Sequence, residues 1–153
     1  MKYTSFAVFL VVLVVHAALL VSAGNYTSRH SLSKRGTKGT GTWYSGSDLD
    51  DAYCYGRNGL PNYTPTDSDM IASIKMKGLT YCYKCIQVTC GSKSVILKVV
   101  DDCAGCGNGN DVDMTTSAFK ALQVKANLNV GELKISWVVL SKCPSSGKWI
   151  KTP

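Results

Sequence analysis

Cysteines and carboxylates are the side chains whose spacing in this sequence could do chemistry. Cys82-x2-Cys85, followed after seventeen intervening residues by Cys103-x2-Cys106, matches the spacing of a four-cysteine zinc site. Cys54, Cys90 and Cys143 have no place in such a site. The competing chemistry is oxidation to disulfides, which depends on the compartment the chain enters. Seven cysteines is an odd number. Three bridges therefore leave one thiol, either buried and inert or paired with another chain, and spacing alone does not say which six residues pair. Among the carboxylates, Asp48, Asp50 and Asp51 form a run in a polar stretch, where the ordinary role is a solvated turn. Asp113 precedes a helix-like segment. A carboxylate at such a place is open to more than one use. Its plainer role is to accept backbone N–H bonds at the helix start.

The first residues decide between zinc and disulfides. A short basic start, Met1-Lys2, leads into an apolar run over residues 6–21 and then into Val21-Ser22-Ala23. This pattern predicts a secretory signal peptide over residues 1–23, cleaved after Ala23. A membrane anchor is the rival, since the run approaches bilayer-spanning length, but no basic stop-transfer cluster follows it. Residues 24–35 read as a propeptide ending in Lys34-Arg35, with processing after Arg35 and a mature domain over residues 36–153. In the oxidising secretory route disulfides are expected, with no metal and no cofactor. Asn25-Tyr26-Thr27 and Asn62-Tyr63-Thr64 are glycosylation sequons, of which Asn62 alone remains in the mature chain.

The formal net charge of +7 shrinks once the chain is divided. Lys2, Arg29, Lys34 and Arg35 lie in the expected leader, leaving 17 − 4 = 13 basic against 10 acidic residues, or +3. That excess is small and scattered, which argues against a nucleic-acid partner. The 118 residues from 36 to 153 make one domain, with a core that crosslinks would help to stabilise. A monomer is expected, with no membrane attachment after cleavage.

Residues 36–41 are rich in Gly and Thr and lead into Thr42-Trp43-Tyr44, which has strand character. Residues 45–65 read as a polar loop. Residues 86–89 and 94–100 read as a hairpin turning at 91–93. Residues 103–110 form a glycine-rich loop, and Thr115 or Thr116 is set to cap a short helix containing Ala118, Phe119, Ala121 and Leu122. Leu133, Ile135, Trp137 and Val139 share one face of a last strand, which makes Trp137 a core residue. Trp149 in the tail is either exposed or packed over the barrel end. The fold class is mainly β, a small barrel or sandwich with little helix.

Four segments in order give this reading a sharper form. Gly41-Thr42-Trp43-Tyr44, Thr66-Asp67-Ser68-Asp69-Met70-Ile71, Val99-Val100-Asp101-Asp102-Cys103-Ala104-Gly105-Cys106, and Asp111-Val112-Asp113-Met114 continuing to Trp137 span nearly all of the expected mature chain. They resemble the double-psi β-barrel family, which includes expansin first domains, rare lipoprotein A-like domains, barwin and family 45 endoglucanases. The resemblance implies a six-stranded, disulfide-stapled barrel with one or two short helices. It also implies an open groove that holds polysaccharide, with Asp101 and Asp113 as its polar pair and Thr42 beside them. Trp43 or Tyr44 would stack on sugar rings, and alternation along a strand lets only one of the two face the groove.

Fold alone does not determine function. Glycoside hydrolysis usually needs two carboxylates, and the place of the family 45 base, two residues beyond the Thr-x-Tyr strand, is Gly46 here. The hydrolase pattern is broken, and Asp48, Asp50 or Asp51 would have to reach back from the loop to repair it. The expectation is an extracellular, expansin-like protein that binds or loosens cell-wall polysaccharide without net hydrolysis. Only the short tail 141–153 follows Leu140, so no second, carbohydrate-binding domain is expected and wall binding is expected to be weak. The alternatives are a secreted protein-binding module of the protease-inhibitor or effector kind, carried by loop 48–65, and a glycosidase or lytic transglycosylase relying on a single acid.

Overall fold

The computed structural model describes residues 36–62 and 64–145. The expected signal peptide and propeptide, with Ala23, Asn25 and Arg35, lie outside the described residues, as does Trp149. Six strands, β1 (Thr37–Tyr44), β2 (Ile71–Ile74), β3 (Cys85–Cys90), β4 (Lys93–Asp102), β5 (Val112–Thr115) and β6 (Leu133–Val139), close into a barrel in the order β1-β5-β2-β4-β3-β6. Helix α1 (Thr116–Ala121) follows β5, and short 3₁₀ turns lie at Gly46–Leu49, Arg57–Gly59 and Leu128–Val130. The mainly β, six-stranded, disulfide-stapled class expected from sequence is the one observed. Among the described residues no helix is long and apolar enough to cross a membrane.

β1 begins at Thr37, so the Gly- and Thr-rich lead-in is itself strand. Its first half pairs antiparallel with β6, Gly39 opposite Ile135, and its second half pairs parallel with β5, Thr42 opposite Asp113. Glycine lets the strand pass close to its neighbours. A Cβ on Gly39 would lie 2.0 Å from the Asn110 carbonyl oxygen, and that oxygen already accepts the Trp137 indole N–H at 2.7 Å. Any larger residue at 39 would force this contact apart.

β2 escaped the alternation reading because Ile71, Ala72, Ser73 and Ile74 are all buried, with paired strands on both sides. The β3–β4 hairpin and the apolar face of β6 fall where expected. Ile86, Val88, Leu97, Val99, Met114 and Trp137 form the barrel core, onto which α1 packs Ala118 and Phe119. A second cluster gathers Tyr44, Leu49, Ala52, Ile71 and Val100. Thr115 has the extended backbone of an N-cap, but its hydroxyl donates to the Asp69 carbonyl rather than to the helix.

The cysteines form three disulfides, Cys54–Cys82, Cys85–Cys143 and Cys103–Cys106. The four residues with zinc-like spacing are thus divided among three different bridges. Cys90 is the free thiol, half-buried against the core.

Candidate functional site

One residue from each of four adjacent strands forms a row across the barrel. Thr42 of β1 is opposite Asp113 of β5, Asp113 is opposite Ser73 of β2, and Ser73 is opposite Asp101 of β4. The last pairing depends on a bulge. Ala72 pairs with Val99, but the register shifts before Ser73, which meets Asp101 instead of Val100. The extra residue turns Val100 into the second core cluster and leaves the carboxylate on the row.

This row borders an open groove of about 540 Å³, a volume in the usual range for small-ligand sites. Thr40, Thr42 and Tyr44 of β1 line it, with Asp48, Ser73, Asp101, Asp102, the 103–106 disulfide loop, Asp111, Asp113 and Glu132. Asp101 and Asp113, expected as a pair, are brought together here. Of the two adjacent aromatic residues, Tyr44 lines the groove. Trp43 lies outside the lining, 36% exposed, with its indole N–H donating to the Leu128 carbonyl oxygen at 3.3 Å. Asp48 lines the groove, while Asp50 and Asp51 do not. Gly46 has φ of 64°, a backbone conformation that disfavours any side chain.

Hydrogen bonds hold the carboxylates in place. Thr42 Oγ1 donates to Asp113 Oδ1 at 2.9 Å, and the backbone N–H groups of Tyr53 and Asp102 donate to Asp101 Oδ1 at 2.7 and 2.8 Å. Thr40 N–H donates to Asp111 Oδ1 at 2.8 Å, and Met76 N–H to Asp102 Oδ1 at 2.9 Å. Sequence reasoning missed Ser73, Asp102, Asp111 and Glu132 as groove residues. Asp102 and Asp111 stood inside the quoted segments, but nothing in their spacing says which way they face.

Burial pushes the Asp113 pKa up, and the charges of Asp101 and Asp48 push it further in the same direction. The bonds from Thr42 and from the Met114 backbone pull the other way without cancelling the rise. Burial also raises the Tyr44 phenol, followed by the charge of Asp101, Tyr55 and then Asp113, so it stays protonated. A carboxyl with a raised pKa is suited to hold a proton or deliver it to an oxygen of a bound ligand. Because the folded pKa lies above the unfolded one, the favourable contribution is complete below the unfolded value and is lost as pH rises through the folded value. Asp113→Asn, permanently neutral, should therefore melt above the native protein at neutral pH, and the gap should close below about pH 4, the unfolded aspartate range. Thermal unfolding at the two pH values checks this, and a gap independent of pH would contradict it.

No family model matches the chain, and no curated protein matches it by sequence. Solved structures do. An apo expansin from Clavibacter michiganensis is 28% identical with a TM-score of 0.54, over 72% of this chain and 52% of that one. A mutant of that expansin was solved in complex with cellohexaose, at 25% identity and a TM-score of 0.53, over the same shares of the two chains. This chain thus spans about half the length of the expansin it matches. The Streptomyces papain inhibitor is 19% identical with a TM-score of 0.53, over 70% of this chain and 97% of that one. Cerato-platanin 3 from M. perniciosa is 18% identical with a TM-score of 0.52, over 68% and 94%. Taken with the closed six-strand topology, these likenesses show that the chain has the double-psi β-barrel fold.

Proposed function

We propose that this protein is secreted, is processed after Ala23 and Arg35, and uses its groove to bind cell-wall polysaccharide without net hydrolysis. The observation that carries this reading is the row Thr42, Asp113, Ser73 and Asp101 along an open groove. The likeness to an expansin, one form of which was solved with cellohexaose, supports it. Asp113, held by the Thr42 hydroxyl and biased toward its protonated form, exchanges hydrogen bonds with sugar hydroxyls. Tyr44 borders the groove while most of its ring packs into the second core cluster. Gly46 leaves the position of a hydrolase base without a carboxylate, and Asp48 reaches the groove from the turn that follows, so release of soluble sugar is the outcome that separates binding from hydrolysis. Exposed Asn62 is the proposed glycan acceptor.

The full chain expressed in a eukaryotic host should be recovered from the medium with Gly36 as its first residue. A mass decrease on glycan removal would report on Asn62. Incubated with insoluble cellulose, chitin and peptidoglycan, the protein should be partly retained on at least one of them and release no soluble sugar. Asp113→Ala should weaken retention about tenfold, the effect of losing roughly 1.4 kcal/mol of binding. Sugar release abolished by Asp113→Ala would make the protein an enzyme. Absence of retention on all three would favour a protein partner reached through loop 48–65.

A further inference from the structure

Six of the chain's ten acidic residues, Asp48, Asp101, Asp102, Asp111, Asp113 and Glu132, line this one groove, in a chain whose formal net charge is +7. Among the described residues that line it, none is lysine or arginine. Clustered charge of one sign in a cleft focuses the field and concentrates ligands of opposite charge. Among the described residues, no three His, Cys, Asp or Glu side chains gather as the ligands of a metal ion would. The carboxylates come from the turn after β1 (Asp48), from β4 (Asp101, Asp102), from β5 and the residue before it (Asp113, Asp111) and from the residue before β6 (Glu132), so the negative charge is shared by several elements of the groove.

A second, independent feature concerns hydroxyls. Tyr44 is 9% exposed and Ser73 is 4% exposed, and Tyr44 Oη and Ser73 Oγ are buried without a hydrogen-bond partner. Both residues line the groove. Buried hydroxyls are nearly always paired, so two unpaired ones at one site mark a missing partner. That partner must carry hydrogen-bonding groups as well as positive charge.

We propose that the groove takes a glycan bearing free amino groups, a glucosamine-containing polymer, whose ammonium groups pair with Asp48, Asp101, Asp102, Asp111 and Glu132 and whose hydroxyls meet Asp113, Tyr44 and Ser73. This inference rests on the polysaccharide reading and names the sugar class. Repeated along a chain, ammonium groups match carboxylates supplied by several elements of one cleft, whereas neutral glucans and fully N-acetylated chains leave those carboxylates without counter-charge. A basic peptide also carries the charge, but each lysine side chain gives up as much as about 2 kcal/mol of rotamer freedom when it is held in place.

The test is calorimetric titration of the secreted protein with glucosamine hexamer, N-acetylglucosamine hexamer and cellohexaose, in low salt at one mildly acid pH where the amine is protonated. Glucosamine hexamer should bind about tenfold tighter than the other two, as expected if a few exposed ion pairs contribute. Raising the salt concentration should shrink that preference, a readout that needs no variant. Asp111→Asn combined with Glu132→Gln should lower the ratio of glucosamine to N-acetylglucosamine affinity several-fold. Equal affinity for all three sugars overturns this inference and leaves the polysaccharide reading standing. No binding of any sugar overturns both. A lysine hexapeptide that binds as tightly as glucosamine hexamer also overturns the sugar assignment and makes the groove a site for basic protein segments.

Discussion

Replacing Cys85 and Cys143 together by alanine should lower the stability of the oxidised domain by about 4 kcal/mol. Their bridge joins residues 58 positions apart, and in the chain-entropy account a loop of that length restricts the unfolded state by roughly that amount. The bridge ties the start of β3 to the segment after β6, where the Leu140 N–H also donates to the Cys85 carbonyl oxygen at 2.9 Å. Removing both sulfurs avoids leaving either partner as an unpaired thiol, and the measured loss combines the crosslink with the packing of the buried Cys85 sulfur. Urea unfolding should show the midpoint fall, and a loss under about 1 kcal/mol would mean that the unfolded chain is already compact. The Cys103–Cys106 bridge spans only three positions and lines the groove. Its removal should cost about 2 kcal/mol in the same account and should affect ligand binding more than the long bridge does.

Asp101→Ala should cost about 3 kcal/mol, whereas Asp101→Asn should cost about 1. One carboxylate oxygen accepts two backbone N–H groups, from Tyr53 and Asp102, and hydrogen bonds to charged groups contribute about 1.5–3 kcal/mol each. Alanine leaves both donors without that acceptor, while asparagine keeps an oxygen in place and gives up only the charge. The Tyr53 bond holds the loop that carries Asp48 into the groove and buries Ala52 in the second core cluster. Cys54 N–H, donating to the Val100 carbonyl oxygen at 3.0 Å, holds the same loop one residue later. Parallel urea unfolding of the two variants, with polysaccharide retention measured on each, separates the roles. If asparagine preserves stability but lowers retention, Asp101 contributes its charge to the ligand, whereas matching losses in both variants would contradict the assigned bonding.

Strand periodicity and turn residues determined much about this protein without coordinates. The apolar face of β6 and the β3–β4 hairpin were visible because each side faces a different environment, which imposes a period of two on the residues. The carboxylates at 101 and 113 were legible only as members of ordered segments resembling a known family. β2 was not legible as a strand, because all four of its residues are buried and no alternation survives. Cysteine pairing, the choice of Tyr44 over Trp43, and the gathering of Asp48, Asp102, Asp111 and Glu132 at one groove were decided by the tertiary structure. Each depends on which distant strands become neighbours, and residues as far apart as Thr42 and Asp113 acquire a shared row only when the barrel closes. The bulge at Ala72 and Ser73 is the clearest case. A one-residue shift in pairing, set by how β2 and β4 pack, places Asp101 on the groove and Val100 in the core.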